Sequence, residues 1–206
     1  MDQRSINTTE LNLNPRAPQA SMPHRLAGAL LLKSAPYELL KDDPHLWRES
    51  LLVVSVVALS HGVGAILRSP SQGYAEPALF TFLFGFVGEI LLWFGTSASI
   101  YLGARVLSLR SVSFGNLARP LGFAAAPGFG VVVAGALSGA GRSAVPILIV
   151  MGTWRLAASF VAVRSALGAR TGRAAAWLLL GLIAGIALMG GGTALLNFII
   201  VSFRGT

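Results

Sequence analysis

The chain has no cysteine among its 206 residues. That excludes disulfides, thiolate metal sites and a cysteine nucleophile. Charge is scarce as well: Asp, Glu, Lys and Arg together make up 12% of the residues, against ~25% in a soluble domain. Lysine is nearly missing, with only Lys33 and Lys41. The three histidines, His24, His45 and His61, are too scattered for metal-ligand spacing of the HExxH kind. Neither a phosphate-binding glycine loop nor a dinucleotide fingerprint occurs. Ser55, Ser60, Ser97 and Ser99 have no general base at a predictable spacing. We therefore expect no catalytic residue, no metal and no cofactor. Residues 1–22 are polar, lack the apolar core of a secretory signal, and are expected to form a disordered cytoplasmic tail.

What the chain does have is apolar length. Hydrophobic residues make up 54%, and the mean hydropathy is +0.68. Five apolar runs, at about 49–67, 78–103, 121–137, 144–163 and 174–203, approach or exceed the ~20 residues that cross a hydrocarbon core. The expected fold class is all-α: a polytopic bundle of five transmembrane helices. Span three is short and contains Pro127 among four glycines, so a kinked or partly re-entrant segment is expected. Span five is long, and Gly190-Gly191-Gly192 marks a hinge or a helix end within it. Ahead of the spans, residues 23–48 alternate leucines and aromatics with Arg25, Lys33, Lys41 and Arg48. They read as an amphipathic segment on the membrane surface, with a loosely packed cytosolic collar as the equal alternative.

Orientation follows from the basic residues. With the amino terminus in the cytoplasm, twelve of the sixteen fall inside and three outside (Arg68, Arg142 and Arg204), leaving Arg155 within a span. Such a bias puts the amino terminus in the cytoplasm and the carboxyl terminus outside. Arg105, Arg110, Arg119, Arg164, Arg170 and Arg173 are then topology residues facing lipid head groups. The net charge of +8 is thereby explained without nucleic acid, because the arginines sit in short blocks between apolar runs.

Arg155 stands inside span four, where arginine costs roughly 2.5–3.5 kcal/mol on insertion scales. Glu89, inside span two, is its only acidic counterpart within a span. Both lie eleven positions into spans that run the same way, about 16 Å deep. Matched depth predicts an intramembrane ion pair, Glu89 with Arg155, more often a register device than a pathway. His61 reads as a helix-packing or outer-interface residue. Gly135-xxx-Gly139 and Gly181-xxx-Gly185 read as close-packing patches within one bundle rather than as a dimer motif.

From Tyr101 to Arg173 the residues acquire a family character. Tyr-Leu-Gly-Ala-Arg is followed by Ser-Phe-Gly-Asn-Leu-Ala-Arg-Pro-Leu-Gly-Phe-Ala-Ala-Ala-Pro, then Gly-Thr-Trp-Arg-Leu-Ala-Ala-Ser-Phe-Val-Ala-Val-Arg-Ser-Ala-Leu. With Gly122-Phe123-Ala124, Pro127, Trp154, Ala162-Val163-Arg164 and Ala166 as its strongest elements, this stretch resembles the Ypt-interacting-protein (Yip) membrane domain family. The resemblance implies five spans over residues 49–206. Eukaryotic members bind Rab-type GTPases and act in vesicle budding, fusion and membrane shaping. This chain lacks their Asp-Leu-Tyr-Gly-Pro segment, so it resembles the bacterial type, and GTPase binding is not expected of it. The expectation is a non-enzymatic, membrane-organising or partner-docking bundle in the bacterial cytoplasmic (inner) membrane. Its partners would be membrane lipids and other membrane proteins. The alternative is a small solute or ion transporter using Glu89 and Arg155.

Overall fold

The structure is a computed structural model that describes residues 21–68, 78–107 and 112–204, with backbone alone at 199–201, 203 and 204. The tail expected at 1–22 lies outside this range except for its last two residues, and Met22 already opens a helix. Among the described residues every regular element is helical. The helices are α1 (Met22–Leu30), α2 (Ser34–Asp42), α3 (Trp47–Arg68), α4 (Ala78–Val106), α5 (Phe114–Ala124), α6 (Val131–Gly139), α7 (Val145–Leu167) and α8 (Thr171–Arg204). Among the described residues five stretches are long and apolar enough to cross a membrane: Pro44–Arg68, Ala78–Val106, Phe114–Gly139, Val145–Leu167 and Thr171–Phe198. The protein is thus an all-α bundle of five membrane-spanning helices.

Local chemistry sets the ends. Pro23 and Pro146 sit at the first turns of α1 and α7, where a missing N–H costs nothing. Gly168 ends α7 in the left-handed conformation (φ 56°). Ser113 caps α5 by accepting the Asn116 N–H at 3.2 Å. That cap starts span three at Phe114, seven residues before the expected 121. The span is kinked, as two prolines dictate: Pro120 sits inside α5, and Pro127 lies in the 3-10 turn Ala126–Gly130 that joins α5 to α6. Gly190, Gly191 and Gly192 neither end nor break span five, because α8 runs through them.

Span three is the axis of the bundle. Its most apolar window is 56% buried, against 17–39% for the other four. α5 packs on α2, α3, α4 and α7, while α6 packs on α3. α8 lies mainly along α4 and touches α7. Both small-residue patches are used inside this single chain. A Cβ on Gly135 would fall 2.5 Å from the Gly64 carbonyl oxygen of α3, and one on Gly185 3.0 Å from the Leu92 carbonyl oxygen of α4.

The segment 23–48 packs closely on the bundle and so is not a loose collar. It is a helical hairpin folded into the bundle, with α2 on α5 and α7, and with Tyr37 and Leu40 fully buried. Tyr37 Oη closes the hairpin by donating to the Ala29 carbonyl at 3.1 Å. Arg25 pairs with Glu49 at the start of α3, and its Nε reaches Glu49 Oε2 at 3.2 Å.

Candidate functional site

Three helices and the kink of span three bring polar groups together at the bundle centre. Arg155 on α7 donates through Nη2 to Glu89 Oε1 at 2.6 Å and through Nη1 to Oε2 at 2.9 Å. This is the bidentate fork that guanidinium and carboxylate form best. The Glu89 side chain is 0% exposed and that of Arg155 20%. The two helices do not pack closely on each other, so the long arginine stem bridges the gap between them.

His61 of α3 completes the cluster, with Nε2 3.6 Å from Glu89 Oε2. That separation is beyond a hydrogen bond, and Nε2 is buried with no hydrogen-bond partner among the described residues. His61 is therefore not an outer-interface residue. Gly128, in the 3-10 turn of span three, forms the floor. A Cβ there would lie 2.8 Å from Val57 Cγ1, 3.3 Å from His61 Nε2 and 3.5 Å from Arg155 Nη1. The proline-induced turn therefore lets bare backbone approach the charged pair. On the other side, Thr96, Arg155 and Ser159 line a cavity of about 20 Å³ with Trp93 and Leu182. This is room for one water, beside a buried Thr96 hydroxyl with no hydrogen-bond partner among the described residues.

Depth arithmetic pairs Glu89 with Arg155, and the same arithmetic applied to span one finds His61. It lies twelve residues after Glu49, about 18 Å along a helix running the opposite way. A second polar cluster, on the hairpin side of α5, carries no such signal. Arg119 is buried (4% exposed) and is not the lipid-facing topology residue expected. Its Nη2 donates to the Lys41 carbonyl at 2.7 Å and to Asn116 Oδ1 at 3.2 Å, and its Nε to the Gly115 carbonyl at 2.9 Å. Its own carbonyl accepts Ser50 Oγ at 3.0 Å. Arg119 therefore clamps α2 and α3 to the first turns of span three.

Arg105, Arg164, Arg170 and Arg173 are exposed, and Arg110 lies outside the described residues. Arg105 also donates to Tyr101 Oη at 2.9 Å. Arg164 borders a cleft of about 540 Å³ lined by Ser34, Glu38, Lys41, Asp42 and Ser165. Among the described residues no group of three His, Cys, Asp or Glu could hold a metal. Compared with known proteins, the chain matches no family model, no curated protein and no solved structure, so its function is argued from its own residues.

Proposed function

We propose that the protein is a non-enzymatic, membrane-organising or partner-docking bundle of the Yip-like type, with the amino-terminal hairpin and the basic helix ends on the cytoplasmic side of a bacterial inner membrane. The observation that carries this reading is the closure of the central cluster. Both Glu89 oxygens are committed to Arg155, and the carboxylate is fully enclosed. A pair so held fixes the register of α4 and α7 and offsets the cost of each buried charge. The five spans and the residues quoted between Tyr101 and Arg173 support the family side of the reading. The positive bias at the inner helix ends supports the orientation.

Transport through Glu89 and Arg155 is the competing reading, favoured by His61 standing beside the carboxylate. It requires the pair to open during each cycle, against an attraction strengthened by low-dielectric surroundings. Electron microscopy of proteoliposomes tests the preferred reading. Vesicles carrying the protein should differ in diameter from protein-free vesicles of the same lipid, and the shift should grow with protein-to-lipid ratio. An unchanged diameter at every ratio would remove membrane organisation from the account.

A further inference from the structure

The hairpin of α1 and α2 has its turn at residues Leu31, Leu32 and Lys33, and the depth of that turn can be read from the bundle. Trp154 Nε1 donates to the Leu30 carbonyl at 2.8 Å. Trp154 stands ten residues before Arg164, the residue expected at the head groups, about 15 Å along the helix axis. Even allowing for the reach of the indole, the Leu30 carbonyl lies well inside the hydrocarbon thickness that α7 spans. A second contact agrees. α1 touches the 3-10 turn Ala126–Gly130, whose Gly128 backs onto His61 and Arg155 at the bundle centre. The hairpin therefore enters from the amino-terminal side and turns back within the membrane.

The turn is built to face something apolar. Leu31 is 67% exposed and Leu32 38%. Leu32 also adopts a left-handed backbone (φ 57°), a conformation that strains a residue with a Cβ and costs glycine almost nothing. A leucine at that strained position spends backbone energy to present its side chain outward. The polar side of the hairpin is provided for separately, because Ser34, Glu38, Lys41 and Asp42 line the cleft beside Arg164. Lys33 is exposed at the turn.

We propose that α1 and α2 form a re-entrant hairpin whose Leu31–Leu32 tip sits among the acyl chains of the leaflet on the amino-terminal side and adds area to that leaflet alone. This deepens the membrane-organising reading and rests on it for the use of the added area. A segment that spans only half the bilayer expands one face without the other, which is the asymmetry that bends a membrane.

The absence of cysteine allows a direct test. Leu31→Cys and, separately, Asp42→Cys are labelled with a bimane fluorophore and reconstituted in phosphatidylcholine vesicles, with lipids brominated on the chains or iodide in the buffer. The Leu31 label should be quenched strongly by brominated chains and weakly by iodide, and the Asp42 label the reverse. Iodide quenching at Leu31 as strong as at Asp42 would overturn the re-entrant placement. Leu32→Gly is the second variant, chosen because it relieves the strained turn and so keeps the fold. It should raise thermal stability in detergent while reducing the vesicle-diameter shift produced by the wild type. A wild-type shift left intact by Leu32→Gly would overturn the added-area claim. Absence of any shift in the wild type itself would instead count against the membrane-organising reading.

Discussion

Replacing Arg155 by methionine leaves the Glu89 carboxylate enclosed and without its fork; replacing Glu89 by leucine leaves a guanidinium in the same interior. Fully enclosed on the carboxylate side and doubly hydrogen-bonded at 2.6 and 2.9 Å, the pair belongs to the class in which removing one partner costs about 3–5 kcal/mol. The double variant Glu89→Leu with Arg155→Met removes both charges and keeps apolar bulk, so it should return to within about 1 kcal/mol of the parent or exceed it. Coupling between the two sites is then at least about 5 kcal/mol, far outside the ~0.5 kcal/mol expected of independent positions. Unfolding in mixed micelles by sodium dodecyl sulfate titration, followed by tryptophan fluorescence, measures all four species. Arg155→Lys should fall between the parent and Arg155→Met, because an ammonium keeps the charge but cannot fork both oxygens. Single losses below about 1 kcal/mol that simply add in the double variant would refute the account of the pair as a register device.

The other expectations test the surroundings of that pair and the packing of the hairpin. Gly128→Ala pushes a methyl to 2.8 Å from Val57 and 3.3 Å from His61, and should cost about 1–3 kcal/mol in the same titration. Gly191→Ala meets nothing within 4 Å inside a continuous helix. It should stabilise by roughly 0.5–1 kcal/mol, whereas a loss would mean that the triple glycine bends in the membrane. Trp154→Phe deletes the bond to the Leu30 carbonyl, a loss of about 0.5–1.5 kcal/mol. Faster hydrogen exchange confined to α1 and α2 would report it. Arg119→Met strips three donated hydrogen bonds from the clamp on α2 and α5 and should lower thermal stability while leaving the number of crossings unchanged.

The five spans were legible because a bilayer demands long apolar runs, and the Glu89–Arg155 contact because helical rise converts sequence position into depth. Arg119 was not legible as a buried group. It stands in the same basic stretch as Arg105 and Arg110, and a sum over loops cannot tell a clamp from a topology signal. The distinguishing cue was local: Ser113 three residues ahead of Asn116 is a helix cap, and a helix from Phe114 puts Leu117, Ala118 and Arg119 inside the span. Nor could the packing of α1 and α2 be read. An amphipathic pattern of nine-residue pieces shows only that one side is apolar, and the acceptor that seats the hairpin, the Leu30 carbonyl, belongs to the backbone and leaves no trace in residue types.

Proton or solute flux across proteoliposomes bearing the wild type or Glu89→Gln is the most direct test of a bundle whose central charges hold structure rather than conduct. The account predicts no difference in flux between the two proteins and lowered thermal stability in Glu89→Gln. A flux carried by the wild type and abolished in Glu89→Gln, with the fold intact, would contradict it.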